Sequence, residues 1–181
     1  MIIFMGIAGS GKSTMGQLLA AHLHCPWIST GNLLRQSMDR QTQQKMLRGE
    51  IIGDDLTLGV LDEEFRRIGA DQNQFVLDGS PRTMRQAKWL VDKAKSGDLK
   101  ITAIIHLNSG KEVAKERLLN RKRPDDTEDA IAERFREYDN NIVPILKYLE
   151  DEGFKVHHID SERSPEETEA AVERALGINA G

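Results

Sequence analysis

The sequence has a single cysteine, Cys25. One thiol excludes an internal disulfide and a cysteine-built zinc site, and it suits a reducing compartment. No apolar run approaches the roughly 20 residues that span a bilayer. There is no excess of positive charge either: 25 Lys and Arg stand against 29 Asp and Glu, a formal net charge of -4. That balance argues against non-specific binding to nucleic acid or to a membrane surface. The opening apolar run, Met1-Ile2-Ile3-Phe4-Met5, is short and lacks the basic leader of a signal peptide. Internal repeats and low-complexity tracts are missing. What remains is an ordinary globular composition, 39% hydrophobic and 30% charged, in 181 residues. That length suits one domain with a real core. The expectation is a single cytoplasmic domain.

Short apolar runs at 2–5, 75–77, 101–107 and 154–159 read as buried strands, with a weaker one at 27–29. Helical patterns over 15–23, 84–95, 112–121 and 130–149 separate them. Such alternation predicts an α/β fold, a five-stranded parallel sheet covered by helices on both faces. Ser164-Pro165-Glu166-Glu167 carries a capping serine, a proline at the first helical position and a glutamate at the third. It predicts a last helix to about Leu176, followed by a frayed tail over 177–181. Two stretches break the alternation. Residues 30–69 are polar and helix-like without a strand, and 121–127 are short, basic and contain Pro124.

Gly6-Ile7-Ala8-Gly9-Ser10-Gly11-Lys12-Ser13 matches the phosphate-loop pattern G-x-x-x-x-G-K-[ST]. Its glycines let backbone N–H groups turn inward as an anion cradle, at the positive end of the following helix. Lys12 is placed to reach the β and γ phosphates of a nucleoside triphosphate, and Ser13 to ligate Mg²⁺. Gly9, Ser10, Gly11 and Thr14 complete the cradle. Asp78 closes an apolar strand at the edge where open α/β sheets bind ligands. Beside a phosphate loop it is a candidate for Mg²⁺, although Asp78-Gly79 is also an ordinary turn dipeptide. Transfer between two phosphorylated molecules gathers negative charge that Mg²⁺ cancels only in part. Arginine supplies the rest through permanent charge and bidentate contacts. Candidates are Arg35, Arg82, Arg117, Arg121, Arg123 and Arg134. The bland alternative for Arg117 to Arg123 is complementing a helix C-terminus, and for Arg134 pairing with Glu137 or Asp129.

At this point the chain resembles the adenylate kinases, within the nucleoside monophosphate kinases, over nearly its whole length. The phosphate loop is one of four matching segments. Ser29-Thr30-Gly31-Asn32-Leu33-Leu34-Arg35 is similar to S-T-G-D-L-L-R. The run from Phe75-Val76-Leu77-Asp78-Gly79-Ser80-Pro81-Arg82-Thr83 to Gln86-Ala87 is similar to F-L-L-D-G-F-P-R-T-x-x-Q-A. Arg117, Arg121, Arg123 and Arg134 resemble R-x-x-x-R followed by R-x-D-D…R. The resemblance implies reversible phosphoryl transfer from Mg-ATP to AMP, giving two ADP, with no protein nucleophile and Mg²⁺ as cofactor. It implies an AMP site of Thr30, Arg35, Gly79, Arg82 and Gln86, with Gln86 on the adenine edge. Lys12, Arg117 and Arg121 then face ATP, and Arg123 and Arg134 the transferring phosphate. Gly49-Glu50-Ile51-Ile52 resembles the strip lining the AMP adenine. The implied layout is a core at 1–29, 70–120 and 128–181, an AMP-binding arm at 30–69 and a short lid at 121–127. ATP and AMP are the implied partners, and a monomer is expected.

The chain departs from that pattern at five places. Ala8 stands where most members have proline, Ser13 where glycine is usual, Asn32 for aspartate, Gly53 for proline and Ser80 for phenylalanine. Thr30 and Gln86 favour adenine over pyrimidine acceptors. Two other readings stay open: a kinase for another nucleoside monophosphate or small acceptor, and a nucleotide-binding regulatory protein with little turnover. Asp125 and Asp126 fit either an N-cap for the next helix or a latch on the closed lid. The five histidines are scattered without metal-ligand spacing and read as structural or exposed. Cys25, Trp27 and Trp89 read as packing residues.

Overall fold

The computed structural model describes residues 1–37, 40–48, 50–121 and 123–178. Among these, β1 (Ile2–Gly6), β2 (Trp27–Ser29), β3 (Val76–Asp78), β4 (Ala103–Asn108) and β5 (Val156–Asp160) form one sheet. Its order is β2-β3-β1-β4-β5, and every neighbouring pair is parallel. The helices are α1 (Lys12–His22), α2 (Thr30–Ser37), α3 (Arg40–Leu47), α4 (Asp54–Ile68), α5 (Met84–Ser96), α6 (Lys111–Arg121), α7 (Glu128–Glu137), α8 (Val143–Asp151) and α9 (Pro165–Leu176). The expected α/β architecture is therefore present. None of these helices is long and apolar enough to cross a membrane.

Side chains alternate across a strand, so a strand covered on both faces reads as an unbroken apolar run. β1 shows this directly. Ile2 and Phe4 pack with Met15 and Leu19 of α1 and Val172 of α9. Ile3 and Met5 pack on the other face with Leu61 and Phe65 of α4, Leu90 of α5 and Leu149 of α8. A third cluster joins Ile7 of the loop after β1 to Ala114 and Leu118 of α6 and Ile131 and Phe135 of α7. From β1 the chain runs outward to β2 and back to β3, then crosses to β4 on the other side of β1. The crevice beyond the C-terminal ends of β1 and β3 is thus the topological switch point where such sheets bind ligands.

Several boundaries differ from the sequence expectation. The single helix expected over 130–149 is α7 and α8 joined by a π-helical turn, Tyr138–Ile142. Pro144 has no N–H to donate and its ring crowds the carbonyl four residues back, so the helix widens just before it. Residues 101–102 and 154–155 precede β4 and β5 instead of extending them. At the end of α9, Gly177 takes φ +69 and the Ile178 N–H returns to Glu173 O at 2.9 Å. Ile178 also packs on the α1 side of the sheet. These two residues cap the helix instead of fraying, and 179–181 lie outside the described residues. The capping box of Ser164 and Glu167 is present as expected.

The histidines are less scattered than their spacing suggests. His106 and His158 are register partners on β4 and β5. Their Nδ1 atoms lie 2.8 Å apart, and His106 Nε2 is 2.8 Å from the Tyr138 hydroxyl. His158 Nε2 reaches Glu150 at 3.1 Å. Burial, with His158 and Lys12 nearby, lowers the His106 pKa to about 4. The unfolded chain therefore binds the extra proton first. This contribution to stability is complete above about pH 6.5 and declines as the pH falls towards 4. Urea unfolding should show a midpoint that drops between pH 6.5 and 5, above the carboxylate range. In His106→Gln that drop should be visibly shallower; an unchanged slope would exclude the assignment.

Candidate active site

The loop after β1 has little freedom. Gly9 takes φ +88, and a Cβ there would lie 2.4 Å from the Ala114 carbonyl oxygen. Only glycine lets α6 approach this closely while the backbone turns. Lys12 opens α1 and folds back to donate to Ile7 O at 2.7 Å. Ser13 Oγ donates to Asp78 Oδ2 at 2.6 Å, tying the helix after β1 to the end of β3. A hydroxyl and a carboxylate held together are the hard oxygen donors that suit Mg²⁺.

These groups sit in a cavity of about 350 Å³ over the switch point. Gly9, Gly11, Lys12, Ser13, Thr14, Thr30, Arg35, Asp78, Gly79, Arg82, Gln86, Arg117, Arg121, Arg123 and Arg134 all line it. Of the residues singled out from the sequence, Ser10 alone is beneath the wall, only 1% exposed. Glu50, Ile51 and Ile52 are on the wall, and Gly49 lies outside the described residues. Two buried hydroxyls, Ser10 Oγ and Thr30 Oγ1, have no hydrogen-bond partner among the described residues. Buried polar atoms are normally satisfied, so an orphan hydroxyl on a cavity wall points to a ligand atom that meets it.

The cations are crowded. Loss of solvation lowers the Lys12 pKa to about 8; Asp78 opposes that shift, while Arg82, Arg121 and Arg134 add to it. Burial likewise lowers Arg82, with Arg134 and Arg35 contributing against Asp78. Arg35 is lowered by burial and by Arg123. Its guanidinium donates to Asn32 Oδ1 at 2.5 Å, so its partner there is a neutral amide.

Asp125 and Asp126 are not the N-cap of α7. That role falls to Thr127, whose side chain accepts from Ala130 N at 3.3 Å. Asp126 instead takes a two-pronged contact from Arg121 at 2.9 and 2.7 Å, one from Arg134 at 3.2 Å and one from Arg123 N at 3.1 Å. Burial pushes its carboxyl up, but these donors together outweigh burial and hold it below the ordinary range. Asp125 pairs with Arg134 as well. Arg134 therefore pairs across the cap and not with Glu137 or Asp129. Arg117 donates to the carbonyls of Ser161 and Glu162 at 2.7 and 3.3 Å.

Gln86 has three partners. Its Oε1 accepts from Ser80 Oγ at 3.0 Å and Arg82 N at 2.8 Å, and its Nε2 donates to Asp54 Oδ1 at 2.9 Å. Asp54 also accepts from Thr83 Oγ1 at 2.7 Å. Sequence reasoning missed Asp54, which stands 32 residues from Gln86 with no local signal linking them. A smaller hollow of about 70 Å³ opens beside Lys12, with Ala8, Ser80, Tyr138 and Ile142 on its wall.

The family model described as adenylate kinase matches residues 4–154. Adenylate kinase 1 of Nostoc sp. is 35% identical over 97% of this chain and 98% of its own length. The adenylate kinases of Corynebacterium urealyticum and Mycolicibacterium vanbaalenii are 34% and 35% identical, again over 97% of this chain and 98% of theirs.

The low pKa of Lys12 has a thermodynamic consequence. An anion placed against Lys12 favours its charged form, so binding near pH 8 takes up protons. Titration of ATP by calorimetry at pH 8, in buffers of different ionisation enthalpy, should record that uptake. The affinity should fall as pH rises, approaching about tenfold per pH unit well above pH 8. A flat profile from pH 7.5 to 9.5 would separate Lys12 from the bound phosphates.

Proposed function

The chain belongs to the adenylate kinase family, and we propose that the cavity above β1 and β3 is where it moves a phosphoryl group reversibly between ATP and AMP. The observation carrying this reading is the convergence of Lys12, the Ser13–Asp78 pair, the orphan hydroxyl of Thr30 and six arginines on one cavity wall. One phosphorylated ligand does not need so many cations; two ligands meeting end to end do.

In this reading ATP lies along the loop after β1, with its β and γ phosphates against the backbone N–H groups and Lys12. Arg117 and Arg121 flank it on the α6 side. The acceptor lies across the crevice, its phosphate between Arg35 and Arg82, with Gly79 allowing close approach and Thr30 supplying a hydroxyl. The base reaches Gln86 beside Ile51 and Ile52. Arg123 and Arg134 then stabilise the charge that builds on the transferring group. Ser13 and Asp78 would hold Mg²⁺, which when bound neutralises phosphate charge and helps to orient the γ-phosphoryl group. No side chain is needed as nucleophile, since the acceptor phosphate oxygen attacks directly.

Water in the same place would make the site an ATPase. Residues 30–69 and the short segment 121–127 are the parts we assign to closure around the substrates. Asp126 is suited to organise that step, because one carboxylate accepts from both Arg121 and Arg134, on either side of the short segment.

Mixing the protein with Mg-ATP and AMP should give ADP well above the rate without AMP. Absence of that difference rejects the reading. Among acceptors, kcat/KM for AMP should exceed that for CMP and UMP, because Thr30 and Gln86 suit a purine. Arg82→Ala should lower kcat/KM by about thirtyfold or more, roughly 2 kcal/mol of transition-state stabilisation. A value near that of the parent protein would remove Arg82 from the phosphate site.

A further inference from the structure

The three partners of Gln86 leave its amide little choice. A carbonyl oxygen has two lone-pair directions and an amide nitrogen has two hydrogens. Here the Ser80 hydroxyl and the Arg82 N–H occupy Oε1, and Asp54 occupies one hydrogen of Nε2. The reversed amide would set N–H against the Arg82 N–H and carbonyl oxygen against a carboxylate. Gln86 is 1% exposed and on the cavity wall, so its orientation is locked. What it has left for a ligand is one N–H.

That is an unusual reader for adenine. A glutamine with both amide ends free pairs with adenine twice, accepting from the exocyclic amine and donating to a ring nitrogen. Ser80 removes the accepting half. A 6-oxopurine presents a carbonyl oxygen where adenine has its amine. It suits a donor that a free glutamine carbonyl would otherwise confront with like charge.

Building on the reading of Gln86 as the residue at the acceptor base, we propose that Ser80 makes it a donor-only reader, so that this enzyme also phosphorylates 6-oxopurine nucleoside monophosphates. With inosine monophosphate, a phosphate oxygen of the acceptor attacks the γ-phosphorus of ATP. The new O–P bond forms as the β–γ bridging O–P bond breaks, leaving ADP and inosine diphosphate. Ser80 touches neither substrate; it is a positioning residue that acts through Gln86.

The test is the ratio of kcat/KM for AMP to that for inosine monophosphate, taken within each variant so that losses of folded protein cancel. The parent protein should favour AMP by less than about a hundredfold. A preference of about 10⁴ or more, as expected of a site that pairs both edges of adenine, overturns the proposal. In Ser80→Ala the ratio should rise about tenfold, the worth of one recovered hydrogen bond. Ser80→Thr keeps the hydroxyl and should hold the parent ratio. A ratio in Ser80→Ala within twofold of the parent overturns the proposal, and the parent protein's own ratio still decides it if that variant does not fold. Gln86→Ala separates the two levels. If it leaves kcat/KM for AMP unchanged, Gln86 is not the base reader and both readings fail. If it lowers that value while Ser80→Ala leaves the ratio unmoved, only the role of Ser80 fails.

Discussion

Mutual repulsion among the cations of one cavity is the constraint on which the arrangement depends. Lys12, Arg35, Arg82, Arg121, Arg123 and Arg134 come from separate segments and face the same space. Loss of solvation lowers the proton affinity of Lys12, Arg35 and Arg82, and the neighbouring arginines lower it further. A fold that gathers positive charge this way is stabilised by whatever anion enters. Until then, a few carboxylates have to hold it together. Asp78 faces Lys12 and Arg82, while Asp126 and Asp125 take up Arg121 and Arg134. Coulomb interactions in a partly desolvated cavity are strong enough to make that balance decide where the side chains rest.

The carboxylates also join pieces of chain that the sheet leaves separate. Asp78 links β3 to the start of α1 through Ser13. Asp54, at the first turn of α4, links that helix to Thr83, the N-cap of α5, and to Gln86 in its first turn. Asp126 links the end of α6 to α7. Each of these carboxylates bonds at least one residue that lines the cavity, Ser13, Gln86, Arg121 or Arg134, so ligand charge and the relative placement of these segments act on the same groups.

What could be read from residues alone followed how local the encoding is. The phosphate loop, the cap of α9 and the apolar runs of the strands are written in consecutive positions, because turn geometry and side-chain alternation are local properties. The candidate site was legible through its motifs: Thr30 to Arg35, Asp78 to Gln86 and the arginines from Arg117 to Arg134 do converge on one cavity. Partners set by register or long-range folding were not legible. His106 meets His158 only because β4 and β5 pair in that register. Asp54 meets Gln86 only because α4 packs beside α5. Asp126 fits both a cap and a latch in the sequence, and only the fold gives the cap to Thr127 and the arginines to Asp126. Pro144 was visible, but its effect on the carbonyls before it depends on whether the helix stops or widens there, which packing decides.

That widening has a mechanical meaning. A π turn amounts to one extra residue in an otherwise α-helical path, and one residue is about 100° of rotation. Before it, Ile131 and Phe135 face the cluster behind the phosphate loop; after it, Ile145 and Leu149 face the central sheet. The turn acts as a phase shifter between two cores served by one rod. Removing a single residue from 139–142 would leave every other side chain chemically intact. It would still rotate α8 out of register with the sheet, so the length of this segment is under tighter constraint than its composition.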